Sequence, residues 1–171
     1  MAGARLQSCR PDEGRHEART VLSDHGDRRE FVAAANASWF GLAREHGLFG
    51  PEGEFLLGVP RADRPAEWCR VRLLDEWDLM GAGADAGLFG SAAEGPCFLA
   101  SSPDGRVVTQ TRAHPWGVLS VALARPWRAP TVRRYMEWVV ELAFDPDIYD
   151  PDDWQPAAAL AWERYLRHHT G

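Results

Sequence analysis

Small and apolar residues recur at helical spacing between Phe31 and Leu42: Phe31, Ala34, Ala35, Ser38 and Leu42 fall on one face, which Trp39 and Phe40 widen. Asp27 with Glu30 forms a capping box just ahead of this run, each side chain placed to satisfy a free N–H group of the first turn. Gly47 is a natural stop, because glycine accepts the left-handed conformation that ends helices. The pattern predicts a helix from near Asp27 to Gly47.

The period then shortens. Phe55 to Val59 reads as a strand ended by Pro60. From Cys69, apolar Cys69, Val71 and Leu73 alternate with Arg70 and Arg72, the mark of a strand with one wet face. Residues 81–95, rich in Gly and Ala, predict a flexible excursion. Pro96 to Ala100 is an apolar strand, and Arg106 to Thr111 is its return. Between them Ser102-Pro103-Asp104-Gly105 is a turn, with Pro presetting one φ and Gly supplying a positive one. Val118 to Leu123 is nearly all apolar, which predicts a central strand.

Helical spacing returns from Pro130, with Val132, Tyr135, Met136, Val139 and Ala143 on the buried face. An acidic loop, Asp145 to Asp153, leads to a last helix lined by Trp154, Ala158, Trp162 and Tyr165. Residues 1–22 are weakly patterned and predict a loose arm, with a helical piece around Glu13 to Val21; residues 23–171 form one domain. Strands grouped between helical ends predict an α+β fold: a mostly antiparallel central sheet of about five short strands, one N-terminal helix and two C-terminal helices.

Composition changes this picture in a few places. Of 171 residues, 45% are hydrophobic and 26% charged, which suits a normal core. Eight Trp predict a core or pocket rich in indole. Every basic residue is Arg, in keeping with a high-GC bacterial genome, and the missing Lys excludes Schiff-base and phosphate-loop lysine chemistry. A net charge of −6 argues against nucleic acid and permits a basic protein partner. Cys9, Cys69 and Cys97 match no zinc spacing, and the two in strands read as small hydrophobes. Met1 to Arg19 has no apolar core like that of a signal peptide, and no run approaches membrane-spanning length, so the cytoplasm is the expected compartment.

Candidate chemistry is sparse. In Leu74-Asp-Glu-Trp-Asp-Leu79 the expectation is that the strand ends or bulges at Leu74, leaving Asp75, Glu76 and Asp78 solvated. The alternative continues the strand and turns Asp75 inward beside Trp77, where desolvation would raise its pKa and suit a general acid or base. His114-Pro115-Trp116 joins two strands; it is expected to be a connector whose Trp caps the core, with His114 as a loop base the alternative. The acidic run holding Asp145, Asp147 and Asp150 lacks the Gly and Glu of an EF-hand loop and reads as a solvated surface for a basic partner. No metal site and no cofactor are expected. The Gly81 to Gly87 run is followed by no clear helix, so a phosphate-binding reading is weak.

Leu56-Leu-Gly-Val-Pro-Arg61, the strand–turn–strand at 97–109 and the helix at 131–144 resemble elements of the SUKH group of bacterial immunity proteins. The resemblance implies a non-enzymatic protein that binds and neutralises a toxin. Two functions are therefore expected in competition. One is a binding protein using an acidic face of Glu76, Asp78, Asp145, Asp147 and Asp150, with Trp77 and Trp116 as apolar contacts. The other is a small cofactor-free enzyme of specialised metabolism, with a Trp-lined small-molecule pocket and an Asp75–His114 acid–base pair.

Overall fold

The computed structural model describes residues 17–23, 26–59, 67–91, 94–130, 132–134, 164 and 167. The chain divides into two compact units: Glu13–Arg125, and a second comprising Met1–Asp12 with Pro126–Gly171. The first unit holds the sheet.

Its elements are β1 (Glu17–Ser23), α1 (Arg28–Glu45), β2 (Glu54–Val59), β3 (Glu67–Arg72), the short helix α2 (Ala82–Asp85), β4 (Gly90–Ser91), β5 (Gly95–Ser101), β6 (Val107–His114) and β7 (Gly117–Ala124). The strands lie in the order β1-β7-β6-β5-β2-β3, with β4 pairing β5, and every pairing is antiparallel. The architecture is α+β. Each of the five strands expected from the pattern is present. Glu17–Ser23 is a sheet strand instead of loose or helical chain, and it makes β7 interior by pairing Glu17 with Leu123 through Ser23 with Gly117. The 81–95 excursion contains α2 and β4.

Helix α1 starts and stops where its capping residues dictate. Asp27 Oδ1 accepts from the N–H groups of Arg29 (2.8 Å) and Glu30 (3.1 Å). At the other end Gly47 has φ +76°; its N–H donates to Arg44 O, and the Leu48 N–H reaches back to Ala43 O at 2.9 Å. This is the Schellman arrangement, and Leu48, which follows it, is fully buried. The buried face is rotated from the expected one. Ala35, Asn36, Trp39, Leu42 and Ala43 are buried, whereas Ala34 is exposed and Phe31 only partly covered. Trp39 stands at the centre of that face, and the polar Asn36 shares it.

The core lies between α1 and one face of the sheet. Trp39 meets Phe49, Phe55, Trp77 and Phe98 with ring centroids 5.7 to 6.1 Å apart. Edge-on geometry dominates, as the ring quadrupoles prefer. Leu57, Ala100, Val107 and Val118 complete the cluster. Thr111 and Ser120, opposite each other on β6 and β7, are buried and share a hydrogen bond of 2.9 Å.

The β5–β6 turn forms as its residues demand. Gly105 has φ +71°, and its N–H donates to Ser102 O. Asp104 Oδ1 accepts from Ser102 Oγ (2.7 Å) and the Arg106 N–H (3.0 Å). The Ser102 hydroxyl, then the Arg106 N–H, hold the Asp104 carboxyl below the usual carboxylate range.

Strand β3 ends at Arg72 because its partner does: Arg72 pairs with Glu54, the first residue of β2, and the chain turns at Gly53 with φ +77°. Cys69 and Val71 are half-buried and Arg70 and Arg72 exposed, as the alternation requires, while Cys97 is exposed and is no core hydrophobe.

In the second unit, Pro126–Arg128 forms a 3-10 turn. Pro130 and Val132–Arg134 are helical, and the Arg133 N–H donates to Ala129 O at 3.1 Å. Val132 is buried, as its place on the expected face requires. The rest of that helix, the loop at 145–153 and most of the last helix lie outside the described residues. Among the described residues no helix is long and apolar enough to cross a membrane.

Candidate functional site

The segment after β3 returns to α1 and is fastened there by one side chain of each. Asn36 Nδ2 donates to Asp78 Oδ1 at 2.7 Å, and Asn36 Oδ1 accepts from the N–H groups of Leu79 and Met80, both at 3.1 Å. Asp78 in turn accepts from the N–H groups of Gly81 (2.8 Å) and Ala82 (2.9 Å). A Cβ on Gly81 would lie 2.5 Å from Asp78 Oδ2 and 2.9 Å from Val32 Cγ1, so only glycine permits this close approach. The Gly81–Gly87 run is therefore no phosphate loop. Its leading N–H groups belong to Asp78, and the helix within it, Ala82–Asp85, is only four residues long.

Desolvation is the largest influence on the Asp78 carboxyl and pushes it up. The Ala82 N–H, the Asn36 side chain and the Gly81 and Met80 N–H groups together outweigh it, so the group titrates below the usual carboxylate range. A depressed carboxylate stabilises the fold at pH values above its unfolded pKa of about 3.9, and that stability is lost as pH falls through the lower folded value. Asp78→Asn is therefore expected to lose less stability than wild type between pH 7 and pH 3, measured as the urea midpoint at each pH. Asp75→Asn, at an exposed position, serves as control and should shift stability by no more than about 0.5 kcal/mol. Identical acid sensitivity in Asp78→Asn and wild type would refute the assignment.

Above the clasp runs a groove of about 510 Å³, lined by Arg29, Val32, Ala33, Asn36, Ala37 and Phe40 of α1 and by Trp77 and Asp78 of the returning segment. Ala33 and Ala37 are exposed, and their small side chains leave room along the helix. Phe40 and Trp77 pair at 5.6 Å. Arg29 and Asp78 supply one charge of each sign, and the exposed Asp75 and Glu76 precede Trp77.

The structure thus brings two of the expected binding residues, Trp77 and Asp78, into one groove and leaves Asp75 and Glu76 exposed beside them in the chain. Asp75 is not turned into the core. His114 and Trp116 lie elsewhere, at the β6–β7 turn. Trp116 is exposed and does not cap the core; its ring stacks on His114 at 4.9 Å and 13°. His114 lines a cleft whose carboxylate is Asp85, and Asp75 is not among the residues that line it. Asp145, Asp147 and Asp150 lie outside the described residues.

The sequence reading missed Asn36, the residue that builds the site. Its signal was a polar side chain within an apolar helical face, where burial demands partners. Among the described residues no group of three or more His, Cys, Asp or Glu side chains is placed to hold a metal ion. No protein-family model, curated protein or solved structure matches this chain.

Proposed function

We propose that this is a non-enzymatic binding protein whose groove receives an apolar segment of a partner protein flanked by basic residues. The groove along α1 carries the reading: an apolar floor of Val32, Ala33, Ala37, Phe40 and Trp77, with Asp78 in its wall and Asp75 and Glu76 exposed beside it. Apolar anchors supply affinity, and the acidic rim selects the partner and speeds encounter. The net charge of −6 extends the same preference over the molecule, and Asp145, Asp147 and Asp150 would add to it. The resemblance to the SUKH group supports a basic toxin as the partner, met in the cytoplasm.

Capture from native lysate followed by binding measurements tests this. The captured protein should be basic, and its association rate should fall as salt rises. Ala37→Glu, which places a charge on the groove floor, should weaken binding by about a hundred-fold, the scale of losing a central anchor. Joint reversal of Asp75 and Glu76 to Arg should slow association without altering the fold. A partner whose binding ignores salt and both variants would sink the proposal.

A further inference from the structure

We infer that the outer edge of β3 is a docking surface for an extended acidic segment of a partner protein, which joins the sheet there as a further antiparallel strand. This surface shares no residue with the groove on α1. β3 closes the strand order on one side, and among the described residues no strand pairs with its outer edge. Every second residue of a strand turns its N–H and C=O groups to a given neighbour, so half of Glu67–Arg72 offers these groups outward. Edge strands are commonly blunted by proline, a bulge, a covering segment or charge. β3 holds no proline, and its residues pair one to one with Glu54–Val59, so no bulge interrupts it. Trp68, Arg70 and Arg72 are exposed, and even Cys69 and Val71 on the core side are only half-buried. The Trp68 ring does not shield the edge: it comes within 3.5 Å of where a Cβ on Gly58 would stand, so it lies inward across β2. The one guard left is charge.

That charge selects the partner. Trp68, Arg70 and Arg72 share the face away from the core, with about 6.7 Å between successive positions. Arg70 faces Leu56 across the β2–β3 pair, with no carboxylate opposite it. Arg72 faces Glu54, and with Val71, Pro51 and Glu52 these side chains line a groove of about 470 Å³ at the end of the strand. Glu54 is turned back on its own loop, where its Oε2 accepts from the Glu52 N–H at 3.0 Å. Among the described residues neither arginine makes an ion pair or a side-chain hydrogen bond. A strand added outside β3 sets every second side chain beside Trp68, Arg70 and Arg72. Carboxylates opposite the two arginines and a ring opposite Trp68 complement that face, and apolar residues between them meet Cys69 and Val71. A second copy of this chain fits poorly, since pairing β3 with itself about a two-fold axis gathers the Arg70 and Arg72 groups of both copies on one face. The preference is one of contact, because the chain as a whole carries a charge of −6. Main-chain hydrogen bonds give strand addition its affinity, and the alternate side chains give it specificity.

The test is an NMR titration of the full chain with the capped peptide Glu-Val-Glu-Val-Tyr-Thr, its neutral counterpart Gln-Val-Gln-Val-Tyr-Thr, and two versions of the acidic peptide N-methylated at alternate residues. The acidic peptide should shift the amide signals of Trp68 to Arg72 saturably at millimolar concentration. The neutral counterpart should bind at least about ten-fold more weakly, the scale of one lost charge-assisted contact. One N-methylated version should fail to bind, because its methyl groups replace the N–H groups aimed at β3, while the other should bind as the parent does. Arg70→Glu should weaken the acidic peptide by about ten-fold and take up Arg-Val-Arg-Val-Tyr-Thr instead. Arg70 is exposed, so circular dichroism should be unchanged, and the swapped preference separates binding from folding. No saturable shift along β3, equal binding of the neutral peptide, or indifference to both N-methylation patterns would overturn the inference. Shifts along β3 that grow with protein concentration in the absence of peptide would overturn it as well, by making a second copy the occupant.

Discussion

Trp39→Ala is expected to cost the Glu13–Arg125 unit about 3–5 kcal/mol, the range for removing a fully buried large aromatic side chain. Trp39 has no exposed surface and is the common neighbour of Phe49, Phe55, Trp77 and Phe98. Its deletion opens a cavity that α1 and two strands border, and a helix pinned at both ends collapses into it poorly. Against a typical domain stability of about 5–15 kcal/mol, much of the margin would go. A second variant separates volume from polarity. The indole Nε1 is buried with no partner among the described residues, so its desolvation already weighs against the fold. Trp39→Phe removes that unpaired donor along with part of the volume, and it should cost far less than Trp39→Ala. Urea unfolding followed by far-UV circular dichroism measures both. A loss below about 1 kcal/mol for Trp39→Ala would show that Trp39 is not the centre of the core.

Asn36→Leu should be nearly as harmful, although leucine is apolar, of similar size and the better helix former. The residue is 9% exposed and makes three hydrogen bonds to the returning segment. Leucine removes the acceptor that the N–H groups of the buried Leu79 and Met80 share and takes a donor from Asp78. At about 1–3 kcal/mol for each buried group left unpaired, a loss of about 2–4 kcal/mol is expected. The damage should also be local. Hydrogen exchange at the Leu79 and Met80 amides should lose protection, while strands β5 to β7 keep theirs. A groove built on Trp77 and Asp78 would then open, so partner binding should fall even at temperatures where the sheet persists. An Asn36→Leu protein of wild-type stability with protected Leu79 and Met80 amides would remove the clasp from the account.

Helix α1, the five principal strands and the Ser102–Gly105 turn were legible in the sequence, because each is specified by contacts between near neighbours. Asp27 caps its own first turn, Gly47 ends its own helix, and Pro103 and Gly105 set their own dihedrals. Strand β1 was not legible. Glu17–Ser23 has no strong alternation, and what makes it a strand is backbone pairing with β7, about a hundred residues away. Asp75 is exposed, as expected, but the reason lies outside β3. Its exposure follows from where β2 begins and therefore where β3 has no partner left, a fact of register that β3's own alternation does not contain.

The candidate sites divide along the same line. The sequence by itself determined the amino acids that carry charge and ring surface, Trp77 and Asp78 among them, and the acidic balance that favours a basic partner. Tertiary structure alone decided which of them meet. Arg29, Ala37 and Phe40 share a groove with Trp77 and Asp78 because Asn36 ties the returning segment to α1. Arg28 meets Asp85 across 57 positions of chain because α2 follows the turn that Asp78 caps. Local patterning reads propensity over a few residues, whereas a binding site is a set of side chains drawn together by packing and buried hydrogen bonds between distant segments.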